Sequence, residues 1–174
     1  DVRQYVEDNF IKPGMASWAD IAGGSHCMTP GYLENQLEQS LRNMDLDCVD
    51  VYYVHNPESQ LSAVCSEEFS RRLRGAFEFL EQSVAQGKIR NYGVATWNGF
   101  RVEPNARGYH SLEQMVEVAR DIAGDSHHFR FIQLPVNLAM PEALFFQNQK
   151  VGDEWQTVTD AAHKLGVTVV ASGS

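Results

Sequence analysis

The chain has 174 residues, 43% of them apolar, enough to enclose the core of one ordinary domain. With 14 basic residues against 23 acidic its net charge is -9, which argues against a general nucleic-acid or anionic-membrane surface. That balance still leaves room for a phosphorylated cofactor held by a few local cations. No apolar run is long enough to span a bilayer, and Cys27, Cys48 and Cys65 show no CxxC spacing. A cytoplasmic protein with reduced thiols is the expectation. The chain starts on an aspartate and stops just after an apolar run, with no visible signal peptide, so we expect part of a longer protein.

Val2, Tyr5, Val6, Phe10 and Ile11 fall on one face of a short helix that Lys12-Pro13-Gly14 ends. From Met15 to Met28 small and polar residues dominate, and residues 1–28 read as an irregular, loop-rich leading segment. Thr29 is placed to cap a helix with Pro30 at its first position, where the missing N–H costs nothing. Leu33, Leu37, Leu41 and Met44 lie along one face of that helix. Residues 49–54 read as a buried strand, rich in β-branched and aromatic side chains, that delivers His55 at its carboxyl end before Asn56-Pro57 stops it.

Ser66 opens a second amphipathic helix whose apolar face runs through Phe69, Leu73, Phe77, Leu80 and Val84. Its other face, with Arg71, Arg72, Arg74 and Gln82, reads as solvated, and Gly87 closes the helix. A strand over 88–96 ends at Ala95-Thr96-Trp97-Asn98. After a loop to about Tyr109, Ser111 and Gln114 have capping-box spacing, and the helix they open runs to Gly124. Residues 129–134 form a third strand stopped by Pro135. Trp155, Val158, Ala162 and Leu165 mark a helix that ends at Gly166, and 167–171 is a fourth strand.

Strand centres at Val51, Tyr92, Phe131 and Val169 recur every ~40 residues, with amphipathic helices between them. This α/β alternation implies parallel pairing with right-handed crossovers. A (β/α)8 TIM barrel needs about 250 residues. We therefore expect a partial barrel, about four strands and their helices, as a single domain over 1–174. In such folds chemistry is done at the carboxyl ends of strands, which makes His55 the first candidate. Its plain alternative is a histidine that bonds a neighbouring loop. A metal-dependent hydrolase built on His26, His55, His127 and His128 is the weaker reading. The His127-His128 pair precedes a strand, away from the carboxyl end, and no metal is expected.

Four segments carry a resemblance: Ser40 to Pro57 (SLRNMDLDCVDVYYVHNP), Gly87 to Trp97 (GKIRNYGVATW), Ile132 to Asn137 (IQLPVN) and Leu165 to Ser172 (LGVTVVAS). In this order, at the ends of strands, they resemble the aldo-keto reductases, NAD(P)H-dependent carbonyl reductases on a (β/α)8 barrel. The resemblance implies hydride transfer between a nicotinamide and an aldehyde or ketone, a small-molecule carbonyl substrate, and NADPH as cofactor with NAD not excluded. The family's catalytic group is an aspartate, a tyrosine, a lysine and a histidine. His55-Asn56-Pro57 resembles the histidine's motif, whereas the other three belong to segments before residue 1; Lys12 lies in the wrong context to replace the lysine.

The same resemblance implies cofactor contacts. Where the family places a serine-asparagine pair after its fifth strand, this chain has Ala95-Thr96, leaving the Thr96 hydroxyl with Asn98 as a possible substitute. Gln133 matches the glutamine that bonds the nicotinamide amide, and Ser172 stands where a tyrosine often stacks on the ring. The phosphate-binding loops fall beyond Ser174. The alternative is a non-catalytic nucleotide-binding or protein-interaction barrel of the same superfamily. The truncated chain alone is expected to be inactive, and either accompanied by the missing barrel half or self-associated through exposed strand edges.

Overall fold

The computed structural model describes residues 1–173. Helix α1 (Val2–Val6), capped by the Asp1 side chain, runs into a five-residue π-helical turn over Glu7–Ile11. Val6 and Phe10 are buried, but Val2 and Tyr5 of the expected apolar face stand in solvent. The widened turn breaks the 3.6-residue spacing on which that face was drawn. Residues 15–28 are not featureless. They hold a 3-10 turn at Trp18–Asp20, closed by reciprocal bonds between Ser17 and Asp20, and an antiparallel bridge between Ala22 and His26.

The regular alternation starts at α2 (Pro30–Met44) and continues through β1 (Val49–His55), α3 (Ser66–Ala85), β2 (Ile89–Ala95), α4 (Leu112–Ala123) and β3 (Phe129–Pro135). A short helix α5 (Glu142–Phe145) and a hairpin of β4 (Gln149–Val151) and β5 (Glu154–Gln156) precede α6 (Val158–Leu165) and β6 (Thr168–Ser172). Thr29 accepts the Tyr32 amide at 3.3 Å to start α2. Ser66 opens α3 as expected, with Cys65 as the residue before it at the N-cap. Ser111 caps α4 by accepting the Gln114 amide, but Gln114 makes no return bond among the described residues, so only half of the capping box forms. Trp155 lies in the hairpin, half exposed, and not on the last helix.

β1, β2, β3 and β6 form one parallel sheet in chain order. With strands laid down in sequence, right-handed crossovers put every helix on the same face, as in a barrel wall and unlike an open doubly wound sheet. The core lies between that face and the helices, where Phe77 sits with ring centroids 5.1 Å from both Tyr92 and Phe129. β1 is less buried than its composition suggests: Val54 alone is fully enclosed and His55 is exposed. The strand is an edge of the sheet, and one of its faces meets no helix. Arg72 also departs from expectation. Its side chain is only 10% exposed and bonded on three sides, while Arg71 and Arg74 are solvated. No helix among the described residues is long and apolar enough to cross a membrane.

Candidate active site

Register places the strand ends. His55 pairs with Ala95, Ala95 with Gln133, and Gln133 with Val170, so these four share one row across the sheet; Ser172 pairs with Pro135, two residues further on. Side chains alternate along a strand, and parallel neighbours in register point the same way. Val54, Val94, Ile132 and Leu134 are buried against the helices. His55, Gln133 and Ser172 therefore project from the other face, the one without helices. Gln133 and Ser172 are half-buried, and neither side chain is hydrogen-bonded to another described residue. His127 and His128 lie at the opposite end of β3, before its first residue. No cluster of three or more His, Cys, Asp or Glu side chains suited to a metal ion occurs among the described residues.

The chain turns sharply after His55. Asn56 takes a left-handed conformation (φ 46°), which asparagine tolerates better than bulkier residues, and Pro57 starts a 3-10 turn over Pro57–Ser62. The Asn56 amide donates to the Ala95 carbonyl at 2.6 Å and carries the strand pairing past His55. The His55 carbonyl accepts from Nε2 of His26 at 2.9 Å, and Nδ1 of His26 accepts from Nε2 of Gln60 at 2.8 Å. This pattern requires the neutral tautomer with its proton on Nε2. Burial pushes the His26 pKa down, against a smaller opposing effect of its bond to His55. Gln60 is fully buried and accepts Nη1 of Arg72 at 2.6 Å, and Arg72 also donates to the Ala19 carbonyl at 3.0 Å. Three separate stretches are thereby fastened beneath His55. A 510 Å3 cleft beside β1 is lined by His26, Tyr53, His55, Asn56 and Ser59.

Beyond β2 the two candidates diverge. Asn98 is exposed, with its side chain unbonded among the described residues. Thr96 is buried: its hydroxyl donates to Oε1 of Glu58 at 2.6 Å and accepts the Gly99 amide at 2.7 Å. Its one proton is thus committed inside the protein. Burial alone would raise the Glu58 pKa, but neighbouring His110 and the Thr96 hydroxyl outweigh it and hold the carboxyl at about 2. Glu58 and Gln60 were invisible as site residues in the sequence, and His26 was weighed only as a metal ligand, because their partners lie tens of residues away. A larger groove of 790 Å3 lies outside, between α3 and α4, and none of its lining residues belongs to the strand-end row.

Residues 12–112 match the family model of the aldo/keto reductase family. The chain belongs to that family. The aldo-keto reductase yakc, NADP(+), of Schizosaccharomyces pombe is 35% identical over 66 residues, which cover 38% of this chain and 16% of that protein. A thermostable aldo-keto reductase, Tm1743, solved with the inhibitor epalrestat, superposes with a TM-score of 0.51 at 19% identity, covering 98% of this chain and 48% of its own. An aldo/keto reductase from Klebsiella pneumoniae, solved with NADP and acetate, gives 0.48 at 20% identity, with 80% and 36% covered. The chain spans less than half the length of each. As an aldo/keto reductase its four-stranded sheet is a part of the family's TIM barrel, and the row from His55 to Val170 lies on the inner side of the wall.

Proposed function

We propose that this chain contributes the histidine and the nicotinamide-facing strand ends of an NADPH-dependent carbonyl reductase acting on a small aldehyde or ketone. The observation that carries the reading is the row His55, Ala95, Gln133 on the helix-free face, at the carboxyl ends of adjacent parallel strands. NADPH is the proposed form because yakc is named for NADP(+) and the Klebsiella structure holds NADP.

The residues present fit a nicotinamide amide. Gln133 and Asn98 have amide side chains without hydrogen-bond partners among the described residues, and Ala95 between them leaves the row open. When bound, the cofactor supplies hydride chemistry. Gln133 and Asn98 hydrogen-bond its carboxamide and fix the ring's orientation, with Ser172 at the far end of the site. Thr96 acts through its place in the loop. His55 directs a ring N–H at the carbonyl oxygen, where negative charge grows during reduction; a donor already in place stabilises that charge without reorganisation. The tyrosine that serves the family as general acid is assigned to no residue of this chain. The 174 residues alone are accordingly expected not to reduce carbonyls.

The test uses the full-length protein, an aldehyde and NADPH. His55→Ala is expected to lower kcat by about 100-fold or more, the scale of a lost proton-handling group, while NADPH affinity changes little. Unchanged turnover in that variant would remove His55 from the mechanism.

A further inference from the structure

Three residues beyond His55, Glu58 turns its carboxylate toward the loop that follows β2. Its Oε1 accepts the Thr96 hydroxyl at 2.6 Å, the Trp97 amide at 3.0 Å and the Asn98 amide at 3.3 Å. Thr96 accepts the Gly99 amide in turn, so one oxygen organises four consecutive residues. Neighbouring donors aimed at one point make a concavity that suits an anion, and here the protein supplies its own. The second oxygen, Oε2, is buried without a hydrogen-bond partner among the described residues, 3.5 Å from Nε2 of His110. The two groups face each other without forming a hydrogen bond. His110 is itself sealed in, stacked on Phe69 at 5.3 Å and edge-on to Phe100. Gly99 lies so near that a Cβ there would be 2.3 Å from the imidazole Cδ2. A carboxylate leaves water only where donors replace it, and at Oε1 three donors do so.

We propose that Glu58 is a positioning residue of the cofactor site: it holds the Thr96–Asn98 backbone where Asn98 meets the nicotinamide amide, and locks that loop to the turn bearing His55. The assignment rests on the reading of the site given under Proposed function. Glu58 touches neither cofactor nor substrate, so its loss acts through the loop. It also fills the concavity formed by the amides of Trp97 and Asn98, which is thereby closed to a cofactor phosphate.

The full-length protein is the material for the test. In Glu58→Ala, amides of 96–101 are expected to exchange with deuterium faster than in the unaltered protein while α3 is unchanged. NADPH Kd should rise about tenfold, the scale of losing hydrogen bonds to a charged acceptor, with kcat at saturating NADPH changed far less. Glu58→Gln keeps an acceptor oxygen toward the same donors and should restore affinity to within about threefold. Unaltered exchange in 96–101 overturns the proposal, as does faster exchange with unchanged NADPH affinity. Should Glu58→Ala fail to fold, Thr96→Val removes one donor and carries the same two readouts, with the same outcomes overturning it. An unaltered protein that binds no NADPH would instead refute the reading of the site, and the assignment of Glu58 would fall with it.

Discussion

At Gly93 the backbones of β2 and β3 meet so closely that no side chain fits. A Cβ would lie 1.9 Å from the Phe131 carbonyl oxygen, beside the register shift at Tyr92/Gly93. Gly93→Ala is therefore expected to destabilise the fold by more than about 3 kcal/mol, read as a lower urea midpoint; a change below half of that would mean the strands part easily. His26 sets a second expectation. Burial holds its folded pKa below the ordinary 6.5. Between those two values the unfolded chain binds a proton that the folded chain refuses, so stability rises with pH and levels off above 6.5. Melting temperatures between pH 5 and 8 should fall on the acid side, and His26→Gln should flatten the slope. His127 is also lowered by burial, so the slope should not vanish. An identical slope in the variant would exclude His26.

Among the elements, α2 shows how a single cap can do two jobs. Thr29 Oγ1 accepts the Tyr32 amide and donates to the Met15 carbonyl at 2.8 Å, tying the leading segment to the helix start. Thr29→Ala should cost about 1–2 kcal/mol in chemical denaturation, and Thr29→Ser much less; equal losses would place the effect in the methyl group. That cap was legible because Thr-Pro before periodic leucines is a local signal. So were the four strands and Gly87, Gly124 and Gly166 at helix ends, and with them the carboxyl-end positions of His55 and Gln133. The hairpin β4–β5 was not, since three residues per strand are too few to show a period of two, and Trp155 was absorbed into the helix pattern. Arg72 looked solvated because nothing near it in sequence announces Gln60 or the Ala19 carbonyl. The direction of the Thr96 hydroxyl was hidden for the same reason: it is set by Glu58, 38 residues earlier.

For the molecule as a whole, the sheet among the described residues leaves β1 and β6 each with one unpaired edge, and the inner face keeps Tyr53, Phe131 and Val170 partly exposed. Free edges and uncovered apolar side chains favour pairing with further strands. At about 25 cal/mol per Å2, leaving several such side chains wet forgoes several kcal/mol, a sizeable part of a domain's net stability. The 174-residue chain on its own should therefore sediment as a species larger than its 19.6 kDa. A compact monomer that unfolds cooperatively would contradict this.

The fastening of Ala19, His26 and Gln60 through Arg72 also bears on the order of folding. The bonds that tie His26 to Gln60 and Ala19 to Arg72 span 34 and 53 positions, so they can close only after α3 and the turn before it are in place. Residues 15–28 then dock late, on the native side of the main barrier. Gln60→Ala should leave the refolding rate nearly untouched and accelerate unfolding, a φ-value near zero. The strand end that presents His55 would in that case be the last part of the chain to become rigid and the first to loosen.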